Sequence, residues 1–340
     1  MSRARRLDRR VYLGGHPVLF GLLAATRHRP VLRLGGTVLV HDPSAYRQVL
    51  TRVPLDRTAA GTTGGAAARL VGGEVLFDQQ GERHRSGRRA VAELLGADGV
   101  RRLRPVWQAV LAEEFGELAP DTDLVAVARK LAGATAAALT GSTADPLLLA
   151  RAAGEAAAAA VRDHLPGIGC TDGGAEAAAE RLAALLPDAR DAVLAVAAVN
   201  TTVAALPRAA AWCARAGWWD RVSPELAAEL LRLTAPAPIL PRVAAAAATL
   251  DGRPIRRGDR LVLVARHAAQ AHRDRPADPA AATQAVFGAG PHACPGARLA
   301  RAQLADFLQA LAPHRPVVRR ARVDRRTALP GYAVLTVRKG

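Results

Sequence analysis

The residues best placed to do chemistry lie near the C-terminus, in Phe287-Gly288-Ala289-Gly290-Pro291-His292-Ala293-Cys294-Pro295-Gly296. A single thiol stands there in a loop punctuated by glycines, which accept backbone angles that other residues resist. Apolar residues at helical spacing follow it: Ala297, Leu299, Ala300, Leu304, Phe307, Leu308 and Leu311. The thiol therefore sits just ahead of a helix N-terminus, where free N–H groups and the helix dipole favour the thiolate. Phe287 supplies a flat apolar wall. Two further pairs have helical spacing. His84 and Arg88, in Gly81-Glu82-Arg83-His84-Arg85-Ser86-Gly87-Arg88-Arg89, share one helix face, and so do Glu229 and Arg232.

The cysteine loop resembles the haem-binding loop of the cytochromes P450, the haem-thiolate monooxygenases. That pattern is Phe, two residues, Gly, three residues, Cys, one residue, Gly. Phe287, Gly290, Cys294 and Gly296 meet it, and His292 stands where the family often has a basic residue. The resemblance implies that Cys294 is the axial ligand of haem iron, a thiolate that pushes electron density toward O–O cleavage. It implies that His84, Arg88, Arg242 and His292 neutralise the haem propionates. Glu229 and Arg232 match a pair that the family buries as a structural core, completed by a further arginine for which Arg273 and Arg275 are candidates.

The resemblance also gives a meaning to Ala197-Ala198-Val199-Asn200-Thr201-Thr202. The family's long distal helix carries a small pair, a spacer, an acid and a threonine. Thr201 fits the hydroxyl that stabilises bound dioxygen and passes protons. Asn200 stands where Asp or Glu is usual, and an amide does not titrate near neutral pH.

These residues need elements to position them. Residues 31–41 read as two short strands around Gly35-Gly36, and Asp42-Pro43 opens a helix through about Leu50. Residues 58–73, rich in Gly, Thr and Ala, read as a mobile loop, at which the resemblance puts a substrate contact. Residues 100–118 and 121–140 read as helices, the second capped by Asp121-Thr122-Asp123 and stopped by Gly141. Residues 147–162 and 174–186 read as a short helical pair where the family has its lid. Pro187-Asp188 starts the helix of Thr201, which Pro207 should kink or end early. Pro224 begins the helix of Glu229. Three prolines make residues 236–242 extended. Leu250-Asp251-Gly252-Arg253 reads as a hairpin turned at Asp-Gly, and residues 260–265 as a strand. Only residues 275–286 separate Asp274 from Phe287, shorter than the family's usual meander. Residues 315–338 read as strands turned at Pro330-Gly331, with Gly331-Tyr332 as a tip at the pocket by resemblance.

Composition sets the bounds. Half of the 340 residues are hydrophobic, and the net charge is +17, from 47 Lys and Arg against 30 Asp and Glu. A basic balance suits nucleic acid or an acidic protein partner, and an arginine-rich genome gives the same number. No nucleic-acid-binding motif accompanies the charge. Arg83, Arg85, Arg89, Arg298 and Arg301 are candidates for a basic face that docks an acidic ferredoxin. Three cysteines, Cys170, Cys213 and Cys294, make no disulfide framework and fit a reducing cytoplasm. Arg3, Arg5 and Arg6 ahead of Val18–Ala25 mimic a signal peptide, but His16, Pro17 and the short run favour an amphipathic first helix. No stretch reads as a convincing membrane span.

The expectation is one mainly α-helical domain with a small β-rich part, of cytochrome P450 fold, over residues 1–340. By resemblance it holds haem b and oxidises a small organic molecule with O2, as in secondary metabolism. Electrons would come from NAD(P)H through ferredoxin reductase and ferredoxin. A carrier-bound substrate would suit the short lid. A haem-binding relative without turnover and a peroxide-using haem enzyme are the alternatives.

Overall fold

A computed structural model of the chain describes residues 3–162, 174–271 and 278–340. Its elements fall into two compact units. One comprises Met1–His16, Arg89–Leu230 and Pro295–Gly340; the other comprises Pro17–Arg88 and Leu231–Cys294.

The first unit is helical. Its longest helix, Ala192–Ala216, packs on Leu124–Thr140, which in turn packs on Pro146–Arg162 and Ala97–Phe115. Alanine dominates these contacts and lets the axes approach closely. At Gly133 even a methyl group would overlap the Pro146 carbonyl. Trp107, Leu124, Leu131, Leu149, Leu206 and Phe307 fill the core. Asp123 caps Leu124–Thr140 by accepting from Val125 N, and also accepts from Leu335 N, which ties the helix to a small antiparallel sheet. That sheet runs in the order Thr122–Asp123, Gly331–Arg338, Val317–Asp324. Among the described residues, the helical segment Ala189–Ala216 is long and apolar enough to cross a membrane, and most of it is buried inside the chain.

The second unit is built on a five-stranded sheet, in the order Val31–Leu34, Thr37–Val40, Arg260–Leu263, Leu240–Ala244, Leu55–Asp56. Thr37–Val40 and Arg260–Leu263 run parallel and the other neighbours antiparallel. Val38, Val40, Val49, Leu250, Leu261 and Leu263 form its core with the helix Pro43–Arg52. Asp42 caps that helix through Ala45 N, as its sequence signature predicts. Asp251 and Gly252 both have positive φ, the geometry of the expected two-residue hairpin.

Several expectations need correction. Residues 58–73 are not a loop throughout, because Thr63–Val71 is a helix. Thr62 caps it by accepting from Gly65 N, and Gly72 closes it in the left-handed region. Gly64 and Gly65 weaken helix propensity, yet a Cβ at either would overlap the carbonyl of Arg57 or Ala59. Close packing against the preceding turn demands glycine there. Pro207 does not end its helix, which runs on to Ala216. The missing N–H costs one hydrogen bond, while burial of Ala204 through Cys213 and the ion pair of Arg208 hold the following turns.

Two helices, Arg3–Gly15 and Pro17–Ala25, replace the expected first one. The stretch ahead of Phe287 is the helix Pro279–Phe287, capped by Asp278. Gly331 and Tyr332 are not a hairpin tip. They pair with Asp324 and Val323 inside the sheet, and Tyr332 is buried. The segment 272–274, Cys170, and Arg273 and Arg275 lie outside the described residues.

Candidate functional site

In the second unit, the helix Pro279–Phe287 ends at Gly288, and the chain turns through Gly288 (φ 78°) and Gly290 (φ 71°). Both angles lie where side chains are strained. The turn closes with a 2.6 Å hydrogen bond from Cys294 N to the Phe287 carbonyl. His292 sits in the short 3-10 turn Gly290–His292, and the Cys294 side chain is exposed. Gly296 precedes the helix Ala297–Leu311 as its N-cap residue.

His84 and Arg88 lie on the helix Gly81–Leu95. His84 is buried and stacks on His292, with ring centroids 3.7 Å apart. Arg88 donates to the carbonyl of Ala293, the residue just before Cys294. Arg242 comes from the strand Leu240–Ala244 and donates to Thr63 Oγ1 at 3.3 Å and to the Pro241 carbonyl at 2.8 Å. Its Nε is buried with no hydrogen-bond partner.

The electrostatics of this group are one-sided. Burial, then the charges of Arg57, His84, Arg242 and Arg88, push the His292 imidazole down to about 3. Burial, then Arg88 and Arg57, lower His84. Burial and then Arg57 bring Arg242 down to about 10. No carboxylate among the described residues forms an ion pair with Arg57, Arg88 or Arg242. Four sequence-predicted residues, His84, Arg88, Arg242 and His292, thus meet in one cationic cluster. Arg57 belongs to it too, and sequence reasoning missed it. No motif surrounds Arg57; it directly follows a two-residue strand that pairs with residues far along the chain.

In the first unit, Asn200 and Thr201 sit on Ala192–Ala216. Thr201 Oγ1 donates to the Ala197 carbonyl at 2.8 Å, and the residue is exposed. Asn200 Nδ2 donates to the carbonyls of Val196 (3.0 Å) and Ala153 (3.3 Å). Its amide is thereby spent on backbone, partly in holding the helix Pro146–Arg162. Glu229 and Arg232 share the helix Pro224–Thr234; Arg232 is buried and donates to the Ala269 carbonyl at 2.9 Å. Arg83 pairs with Glu74 and Arg85 with Glu82, so two of the basic-face candidates are partly neutralised.

No protein-family model matches this chain, and no curated protein matches it. Solved structures do. Epothilone B-bound cytochrome P450epoK is 17% identical with a TM-score of 0.78, covering 96% of this chain and 97% of that one. A six-coordinated cytochrome P450 from Thermus thermophilus is 22% identical with a TM-score of 0.75, covering 95% and 98%. P450BioI, solved in complex with an acyl carrier protein ligated to hexadec-9Z-enoic acid, is 16% identical with a TM-score of 0.72, covering 96% and 99%. The chain has the cytochrome P450 fold, mainly α with small β sheets.

Haem b, the group this fold implies, carries two carboxylates and takes a donor atom to its iron. The cationic cluster, with its orphaned Arg242 Nε, lacks the anions that such carboxylates supply, and Cys294 is an exposed thiol in the adjoining loop. The residues of this chain fit the group.

Proposed function

We propose that this chain is a haem-thiolate monooxygenase of the cytochrome P450 type, with residues 1–340 acting as a single catalytic domain. The observation that carries the reading is the hydrogen bond from Arg88 to the carbonyl of Ala293. It ties the cationic cluster to the residue before the one thiol with a haem-loop context. Haem, when bound, supplies the reductive activation of dioxygen.

The chain's own residues divide the remaining work. Cys294 would supply the thiolate that holds the iron, positioned by the turn closed from Phe287, with Gly296 just beyond it. Arg88 and Arg242 would neutralise the two carboxylates, and His84 and His292, held toward the neutral form here, would hydrogen-bond them or gain a proton once anions lie beside them. Thr201 moves a proton at Oγ1, which keeps acceptor capacity for water while donating to Ala197. Asn200 cannot relay a proton as an acid would, so water, or a polar group of the substrate, completes the path.

Electrons come from NAD(P)H through a ferredoxin reductase and a ferredoxin in the cytoplasm, with Arg89, Arg298 and Arg301 among the docking cations. The substrate is a small organic molecule of secondary metabolism, free or carried on a protein, as the acyl chain is in the P450BioI complex. Asn200's engagement with backbone favours one second reading, a haem enzyme that takes peroxide and needs no proton relay from this position.

The deciding measurement is the CO-difference spectrum of the reduced protein. The red-shifted Soret band of thiolate ligation is expected in the wild type and in Cys213→Ala, and absent in Cys294→Ala. A normal band in Cys294→Ala overturns the reading.

A further inference from the structure

The strand Leu55–Asp56 pairs with Leu240–Ala244 in antiparallel register, Leu55 against Ala244 and Asp56 against Val243. Arg57 directly follows Asp56 and Arg242 directly precedes Val243, so this pairing brings the two arginines into one region, and the charge of Arg57 acts on Arg242. Like charges close together disfavour each other, and nothing in the sheet itself requires them. Arg57 has a neighbouring cation in Arg242, and its charge helps hold the nearby His84 and His292 toward the neutral form. Neither arginine has an ion pair with a carboxylate among the described residues.

The backbone at Arg57 is nevertheless held firmly. Its carbonyl accepts from Thr62 Oγ1 at 3.0 Å. Gly64 packs against the same carbonyl so closely that a Cβ there would overlap it. Thr63, the next residue of this helix start, accepts from Arg242 Nη1 at 3.3 Å. One short segment, 62–64, thus fixes the Arg57 backbone and the Arg242 side chain, and it leaves a buried Arg242 Nε over. A guanidinium group held in place at Arg242, with a second arginine anchored by its backbone beside it and no carboxylate between them, is suited to receive an anion that enters from outside the chain. Two planar guanidinium groups suit a carboxylate, which accepts several N–H donors at once.

We propose that Arg57 is a cofactor-binding residue of this chain, gripping one carboxylate of the prosthetic group jointly with Arg242. The proposal rests on the haem reading above. It leaves Arg88, His84 and His292 for the other carboxylate. It also explains why residues 62–65 combine a capping threonine with two packed glycines: their task is to hold the Arg57 carbonyl and the Arg242 side chain in one place.

The test compares haem transfer from the holoprotein to an excess of scavenging apoglobin, for the wild type, Arg57→Ala and Arg57→Lys. Each chain is also reconstituted with the dimethyl ester of haem, whose carboxylates are blocked. Arg57→Ala is expected to lose haem at least tenfold faster than the wild type, with Arg57→Lys between the two. With the dimethyl ester, all three chains should lose the porphyrin at the same rate. Equal acceleration with haem and ester would mean that Arg57 acts on the fold rather than on a carboxylate, and would overturn the proposal. So would an unchanged rate of haem loss in Arg57→Ala. If that unchanged rate came with an intact thiolate CO band, the haem reading would stand and the Arg57 assignment alone would fall. A chain that takes up neither porphyrin would remove both.

Discussion

Arg208 and Arg242 each carry a guanidinium group into the interior of its own unit, and the two are treated in opposite ways. Arg208 is 2% exposed and donates through Nε (2.9 Å) and Nη2 (2.8 Å) to Asp8, with Nη1 on the Pro330 carbonyl at 3.3 Å. Charge and hydrogen bonds are answered within the chain. Arg242 reaches only a hydroxyl and a backbone carbonyl, faces Arg57, and keeps an unanswered buried Nε. A satisfied buried arginine is part of the scaffold. An unsatisfied one, held in place by its neighbours, marks where something else must bind.

This contrast is sharpest under truncation. Arg208→Ala breaks a buried ion pair by removing one partner, and the expected loss is about 3–5 kcal/mol of unfolding free energy, read from urea denaturation. A loss below about 1 kcal/mol would break the comparison, since Arg208 would then contribute no more than an exposed ion pair. Arg242→Met should behave the other way. Haem affinity should fall roughly ten- to a hundredfold, the worth of a charged hydrogen bond at about 1.5–3 kcal/mol. The haem-free chain should hold its stability or gain up to about 1 kcal/mol, because a like-charge neighbour of Arg57 has gone. Strong destabilisation of the haem-free chain would put Arg242 in the scaffold with Arg208.

A third group tests whether every buried pair of basic side chains behaves like Arg242. His41 and His267 are both buried, share a 2.8 Å contact between their Nδ1 atoms, and His41 Nε2 lies 3.2 Å from Thr26 Oγ1. One ring must donate and the other accept, so the pair is satisfied only while at most one ring is protonated. Burial, then Arg27 and His28, push His41 down to about 4; burial, then Arg27, His41 and Arg266, push His267 to about 3. Both folded values lie below the unfolded one near 6.5, so the unfolded chain binds more protons in between. Stability should therefore be full above about pH 6.5 and fall as the pH drops toward about 4, by at most roughly 1.4 kcal/mol per pH unit for each ring. His267→Gln should flatten that slope. A slope unchanged by the substitution would assign it to other groups.

The smallest effect concerns Asn200. Its donors answer two backbone carbonyls, so Asn200→Ala should cost about 1 kcal/mol in thermal or urea unfolding. Asn200→Asp would set a carboxylate against those carbonyls and should cost more, unless it gains a proton. If Asn200→Asp is neutral for stability and raises NADPH-driven oxygen consumption, the position belongs to proton delivery more than to packing.

Much of this protein was legible in its residues because the relevant physics acts over a few positions. Asp42 and Asp123 cap helices that begin one residue later, Asp251-Gly252 turns a hairpin by its own φ preference, and Gly288 and Gly290 bend the Cys294 loop. His84 and Arg88 share a face because a helix repeats every 3.6 residues. Glycine misled the reading of 63–71. Its low helix propensity is local, whereas the need for no side chain against Arg57 is not. Pro207 misled in the same way, since the burial that carries its helix onward comes from packing against other segments.

The sequence by itself determined the thiol, its loop, the caps and turns, and the residue types that resemble a haem site. Tertiary structure alone decided which charges are answered. Asp8 and Arg208 are 200 positions apart, and no pattern along the chain pairs them. The pairing of Asp56 with Val243 across a sheet brings the adjoining Arg57 and Arg242 into one region. Local chemistry is written in neighbouring residues, but a buried charge is stabilised or stranded by whatever the fold brings within a few ångströms, and that is settled only when distant segments pack.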